Sequence, residues 1–432
     1  MGSRQAACAG AVVLALSLSA GAAHASPAPL TLQDAVEQSL AKNERARIAD
    51  LDVTVARAAV QKAHARFLPA LSLGAGDTFR PEQLGASAGA PPNAASATLS
   101  VNQPLLDAAA FPLLDQARDA LLANQDQAGN DKRTLAFDAA RAFFLLLDAQ
   151  AVRSAAQRRL ASAQAALSDA QARVNAQLAS SNDATRAQVD LASAAREVTT
   201  DTGSVRTAAL QLGLLMSAPA PETLVPPDAV LQASAKPLTA LEPLVKAALS
   251  RRLDLTAQQH AAQAARDAAR EPMLRAVPTL GVSAQAQATT NDAATGRWHD
   301  ESLSLTLSWA LYDQGQRYAD ARARSAQAEI ADLQALALAR TVASQVWSAA
   351  ASLQAAQGAY AVADAAVAVA RKNADETAAL YKQGLAKAIE LIDANDQLFL
   401  AEVSDAEARY AMALAYLDLR SSLGLDPLGL EL

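Results

Sequence analysis

Late in the chain, in the stretch YKQGLAKAIELIDANDQL at residues 381–398, two carboxylates stand three residues apart behind a glycine. At that spacing Glu390 and Asp393 share one face of any helix that contains them. Two kinds of chemistry suit such a pair. Acidic side chains near a helix N-terminus are favoured by the helix dipole, and carboxylates crowded into a narrow opening concentrate negative potential there. Covalent and acid–base chemistry have no comparable residue set. His64, His260 and His299 stand apart from one another and from any cysteine, which leaves no metal-ligand spacing. No GxSxG elbow, phosphate loop or dinucleotide glycine pattern occurs, and the serines lie scattered without a nearby base. The chain therefore reads as a non-enzyme with no cofactor and no metal.

Composition bounds the elements that must position these residues. Of 432 residues, 51% are hydrophobic but only 4% are aromatic, so a core has to be built from Ala, Leu and Val, which favours helix packed on helix. A net charge of −7 with both signs interspersed supplies no basic stripe and sets nucleic acid aside as a partner. Residues 1–25 form a predicted signal peptide, with Arg4, an apolar run from Ala9 to Ala20 and the small-x-small site Ala23-His24-Ala25. The single cysteine, Cys8, precedes the apolar run, so no lipid anchor is expected after cleavage ahead of Ser26. Beyond this segment no stretch of about 18 apolar residues occurs, and no transmembrane helix is expected. Periplasm, secreted space and outer-membrane barrel remain.

Residues 134–179 align on 341–386 without a gap, at a shift of 207. In the later copy Val342, Val346, Ala349, Leu353, Ala356, Tyr360, Ala363, Val367, Ala370 and Ala374 step by four and three, a heptad seam. The earlier copy matches with Leu135, Ala139, Ala142, Leu146, Ala149, Arg153, Ala156, Leu160, Ala163 and Leu167. LPAL at 68–71 answers to VPTL at 277–280, and QPLLD at 103–107 to WALYD at 309–313. Between the copies, residues 217–237 carry five prolines and are expected to be a linker rather than helix. The chain thus divides into a first repeat (26–216), that linker, and a second repeat (238–432). Each repeat reads as a helix, two short alternating segments, a very long helix, a break and another helix. The long helices, near 112–175 and 314–382, would each extend about 100 Å at the α-helical rise.

The alternating segments, near 70–79, 98–105, 279–288 and 303–311, have a period of two and are predicted strands. Leu71, Leu73, Ala75 and Phe79 oppose Ser72, Gly74, Gly76 and Thr78, and the other three segments repeat this division. The polar loops RPEQLGASAGAPPNAA and TTNDAATGRWHDE suit hairpin ends in water. An apolar face backed by a small polar face, over about 10 residues, suits a transmembrane barrel. Four strands cannot close one, because the smallest membrane barrels take about eight, so several chains would have to share it.

The signal peptide, LTLQDAVEQSLAKN at 30–43, FLPALSL at 67–73, the QPLLD and WALYD strand exits and YKQGLAKAIELIDANDQL together resemble the TolC-like outer-membrane efflux protein family. The resemblance covers essentially the whole chain after the signal peptide. It implies a mainly α fold with a small β part. In a homotrimer, twelve strands would close one shared barrel in outer-membrane lipid, and the helices would continue as a coiled-coil tunnel through the periplasm. The implied function is the exit duct of a tripartite efflux system, which an inner-membrane transporter supplies with small toxic molecules through a periplasmic adaptor. The exit duct of a type I protein secretion system is the alternative within the class. A periplasmic coiled-coil adaptor or scaffold is the alternative outside it, although adaptors usually carry one hairpin flanked by compact β domains.

By motif position the resemblance also assigns roles. Glu390 and Asp393 become two acidic rings in the closed mouth of the tunnel, and Tyr381 with Asp183 becomes the latch that keeps it closed. The helical turns at Gln177 and Ser180 and at Gly384 and Lys387 become the adaptor contacts. Gly384, with Gln177 as its counterpart, falls where the long helix turns back, a place that suits positive φ. An arginine that supports the latch elsewhere in the family is replaced by Ala386, and Lys387 is the nearest cation.

Overall fold

The first helix opens on a capping box. Thr31 Oγ1 accepts from the Asp34 amide at 3.1 Å, and the Asp34 carboxylate accepts from the Thr31 amide at 3.3 Å. From there the computed structural model describes residues 29–79, 93–238, 240–290 and 297–429. The signal peptide with Cys8 and most of both hairpin loops lie outside the described residues. The first repeat holds α1 (Leu32–Lys42), α2 (Glu44–His64), β1 (Ala70–Phe79), β2 (Asn93–Leu106), α3 (Ala110–Asn175) and α4 (Ser181–Met216). After α5 (Asp228–Ser234) the same order returns in α6 (Leu241–Arg251), α7 (Leu253–Leu274), β3 (Thr279–Thr289), β4 (His299–Ser308), α8 (Gln316–Lys382) and α9 (Ala388–Ser422).

Three expectations need correction. The single helix expected at the start of each repeat is two helices. Asn43 breaks the first with an extended backbone, and its side chain caps α2 by accepting from the Arg45 amide at 3.0 Å. Arg252 breaks the second, held by a 2.9 Å bond to Asp254. The proline-rich stretch contains α5, because Pro226 and Pro227 end just before Asp228, and Val230 and Leu231 are buried. The boundaries of two strands also move. β2 starts at Asn93, and β4 spans His299–Ser308 and leaves Trp309 to bond the Ala276 carbonyl at 2.9 Å. The added residues lack apolar alternation, which backbone pairing does not require.

The strands form one antiparallel sheet in the order β1-β2-β3-β4, so the β2–β3 pair joins the repeats. Register carries the division of faces across all four strands. Leu73 lies opposite Leu99, Leu99 opposite Ala286, and Ala284 opposite Leu303. On the other face the hydroxyls of Ser72 and Ser100 meet at 2.7 Å, and those of Ser283 and Ser304 at 2.6 Å. The apolar face is bare within the chain, with Leu73 74% and Leu303 78% exposed.

The helical core sits where α1, α3, α4, α8 and α9 meet. Phe137, Phe143, Phe144, Leu146, Leu353, Tyr416 and Leu417 are fully buried there. Beyond this level the long helices, 66 and 67 residues, run on with alanine-rich contacts. Each predicted seam position from Leu135 to Leu167 and from Val342 to Ala374 is buried or half-buried. Small seam residues bring helix axes close, which suits a wall better than a filled bundle.

At the edge of the core, Asp148 Oδ1 is buried without a hydrogen-bond partner. Burial, with added repulsion from Glu407, pushes its carboxyl up to about 6. A folded pKa above the unfolded value means that the native state binds the extra proton. Stability therefore falls as pH rises from about 4 through 6. Asp148→Asn is expected to raise the melting temperature at pH 8 and to leave it unchanged at pH 4, as thermal denaturation at the two pH values will show.

Candidate functional site

The two long helices end in the same way. After α3, the Leu178 amide reaches back to the Arg173 carbonyl at 2.8 Å and Gln177 takes φ +60°. After α8, the Leu385 amide reaches the Leu380 carbonyl at 2.9 Å and Gly384 takes φ +78°. Both are left-handed caps that satisfy the final carbonyls. A Cβ at Gly384 would meet nothing within 4 Å, so the glycine answers to backbone conformation and not to crowding. Ser180 then caps α4 by accepting from the Asn182 amide at 3.2 Å, and the turn at Lys387 opens α9. Leu178 and Leu385 project from the turns, 78% and 72% exposed.

Glu390 and Asp393 lie in the first turns of α9, both exposed. The Glu390 carboxylate accepts from the Lys387 amide at 3.0 Å, so it satisfies the start of its own helix. Asp393 is free of such a bond among the described residues. Asp183 occupies the corresponding first turn of α4, which puts an acidic residue at the start of both returning helices.

Tyr381 is buried in a small cluster with Ala166, Ala388 and Leu391, against which Ala386 packs. Among the described residues no hydrogen bond joins Tyr381 to Asp183. The partner is one that the sequence did not reveal. Arg173 of α3 donates to the Tyr381 carbonyl at 2.6 Å and the Lys382 carbonyl at 3.1 Å, and its guanidinium lies 4.4 Å from the centre of the Tyr381 ring. Burial raises the Tyr381 phenol above its ordinary pKa. The Arg173 charge opposes that rise, and Asp169 and Asp183 add to it.

Farther from the turns, Arg159 of α3 is nearly buried between carboxylates of two other helices. It lies 3.1 Å from Asp190 of α4 and 2.7 Å from Asp396 of α9. Burial and the Asp396 charge raise the Asp190 carboxyl, with Arg159 acting against them. Only the heptad spacing of Arg159, Ala166 and Arg173 in an alanine-rich helix signals these contacts in the sequence. Among the described residues no group of side chains could hold a metal ion, and no helix is long and apolar enough to cross a membrane.

The sequence pattern of the outer membrane efflux proteins matches residues 35–218 and 244–425. This chain belongs to the outer membrane efflux protein family. The fold agrees with those of solved outer-membrane channels. CusC superposes with a TM-score of 0.80 at 17% identity, covering 91% of this chain and 92% of that one. VceC from Vibrio cholerae gives 0.75 at 17% identity, over 92% and 96% of the two chains. The open state of MtrE from Neisseria gonorrhoeae gives 0.72 at 18% identity, over 92% and 90%. Among curated proteins none matches the chain. As in those channels, long helices and a small set of strands make up the efflux-family fold, and the family is one of channels.

The two turns of this efflux-family chain make a matched pair for measurement. Gly384→Ala is expected to destabilise by about 1–2 kcal/mol, the cost of a left-handed L-residue. Gln177→Ala should change stability by less than about 0.5 kcal/mol, because that strain is already present. Chemical denaturation of both variants distinguishes the two.

Proposed function

We propose that three copies of this chain form an outer-membrane exit duct for small toxic molecules, which an inner-membrane transporter delivers through a periplasmic adaptor. The observation that carries this reading is the sheet. In water its apolar face would be a bare patch of a kind that soluble monomers avoid. In hydrocarbon that face is at home, but the outer edges of β1 and β4 would then leave backbone groups unbonded, at several kcal/mol each. Both demands are met when β4 of one copy pairs with β1 of the next and twelve strands close. Exposed aromatics at both ends of the sheet, Phe79 and Trp298 at one and Trp309 and Tyr312 at the other, support a seat between two membrane interfaces. The barrel, with no lipid modification, holds the protein in the outer membrane.

In that trimer α3, α4, α8 and α9 become the wall of a periplasmic tunnel. Glu390 and Asp393 each recur three times at its mouth, where low-dielectric walls focus their potential and favour cations. Tyr381 and Asp183 belong to the contacts that hold the mouth closed. The turns bearing Gln177, Ser180, Gly384 and Lys387, with exposed Leu178 and Leu385 between them, receive the adaptor.

Detergent extraction followed by mass measurement of the complex is expected to give a trimer, whereas a monomer soluble without detergent would favour a periplasmic scaffold. In planar bilayers the wild-type channel should prefer cations, and the double variant Glu390→Gln, Asp393→Asn should lose most of that preference. An unchanged preference would leave both residues with helix-end roles alone.

A further inference from the structure

We propose that a cleft where the two repeats meet binds an amphiphilic carboxylate, a molecule with an apolar body and a single carboxylate group. The proposal does not depend on the duct reading above. The cleft has a volume of about 610 Å³ and lies between the end of α1, the first half of α3, the α6–α7 junction and the segment that follows α9. At the α-helical rise Arg133 stands about 60 Å along α3 from its turn, so the cleft is remote from the turns. Leu40, Leu253, Leu425 and Pro427 supply apolar lining, and Lys132, Arg133 and Arg251 supply positive charge against Asp426 alone.

The pairing of these charges leaves the wall positive. Lys132 Nζ meets Asp50 of α2 at 2.6 Å. Arg252, next to the cleft, takes both oxygens of Asp254, at 2.9 and 2.5 Å. Among the described residues Arg133, Arg251 and Asp426 have no ion pair, so one positive charge is in excess. Arg133 is half-buried, and of its five N–H donors only Nη2 is bonded among the described residues, to the Asn130 side-chain oxygen at 2.9 Å. Burial lowers its guanidinium below the ordinary arginine value, the Asp254 charge opposes that fall, and the Arg252 charge adds to it. α6 and α9 end nearby, and helix C-termini favour a cation. Their last carbonyls are already taken, that of Ala248 by the Arg252 amide and those of Leu419 and Arg420 by the amides of Leu423 and Leu425, each at 3.0 Å. The helix ends thus make a cation tolerable and leave its donors for a ligand. Gly424 keeps the Nη1 side open. It has φ +75°, and a Cβ there would stand 3.1 Å from Arg133 Nη1. A planar guanidinium matches the two oxygens of a carboxylate. One excess charge suits a monoanion better than a phosphate dianion, and the apolar lining favours a ligand whose remainder is apolar.

The probe is 4-phenylbutyrate, titrated calorimetrically into the purified full-length protein in detergent, with 4-phenylbutanol and inorganic phosphate as controls. Saturable binding of the acid is expected, with no uptake of the alcohol beyond its partition into micelles and with phosphate weaker by about tenfold or more. Arg133→Met should weaken the acid by about tenfold, as the loss of a charged hydrogen-bond partner does. Arg251→Gln and Leu40→Ser change exposed side chains and spare the fold, and each should weaken binding severalfold. Arg118→Gln, which breaks an exposed pair with Asp115, should leave binding unchanged. Phenylbutyrate that binds no better than the alcohol, or phosphate that binds equally well, would overturn the proposal. Should Arg133→Met fail to fold, the Arg251 and Leu40 variants decide, and wild-type affinity in both would overturn it as well. Failure to find a trimer or a channel would bear on the duct alone.

Discussion

The pairing of β2 with β3 is the interaction on which the rest of the molecule depends. Each repeat alone offers a two-stranded hairpin, which is marginal in water. Pairing between the repeats gives four strands whose apolar residues fall in register from Leu73 through Leu99 and Ala286. It also sets where the helices go. β2 and β4 run in the same direction, so α3 and α8 leave the sheet at one end, beside the incoming α2 and α7. Asp107 and Asp313 fix those exits. Asp107 accepts from the Ala109 amide at 3.2 Å, and Asp313 accepts from Gly315 and Arg317 at 3.2 and 3.0 Å. Two helices of nearly equal length thus start level and end level, and their turns come together far from the sheet.

Along that length the protein changes its means of cohesion. Near the sheet-distal half of α1 and the middle of α3, packed aromatics make a conventional core, with Phe143 edge-on to Phe144 at 6.3 Å. Toward the turns the cores shrink to Ala155, Ala156 and Phe399, and then to the four residues around Tyr381. Apolar burial alone secures little there. Charged and cation–π contacts take over at Arg158, Arg159 and Arg173, and Glu402 of α9 accepts from Arg158 of α3 at 2.8 Å and from Arg371 of α8 at 2.9 Å. Helices tied by a few specific contacts can part along them, whereas a filled core cannot part without losing buried area.

Much of this could be read in the sequence, for identifiable reasons. Alternation located β1 at Ala70–Phe79, and heptads located both long helices to within two residues at each end. Gly384 signalled its left-handed cap because only glycine adopts that conformation freely, and the repeat carried the inference to Gln177. The start of β2 was not legible, because pairing with β1 requires backbone groups and no particular side chains. Asn43 and Arg252 hid their helix breaks among ordinary polar residues. The contact of Arg173 with Tyr381 joins positions 208 residues apart, and one surface arginine on a long helix carries no mark of its partner. Glu390 was legible as a carboxylate near a helix start, and its bond to the Lys387 amide gives that reading a definite geometry.

In the proposed barrel the bare apolar face of the sheet lies against lipid and its serine-lined face against water. Single cysteines carrying an environment-sensitive fluorophore at Leu73 and Leu303, and at Ser72 and Ser304, test this directly in reconstituted vesicles. Quenchers confined to the hydrocarbon should dim the labels at Leu73 and Leu303 and spare the other two, and a water-soluble quencher should do the reverse. Labels at Leu73 and Leu303 shielded from both quenchers would mean that protein covers this face, and would contradict the account.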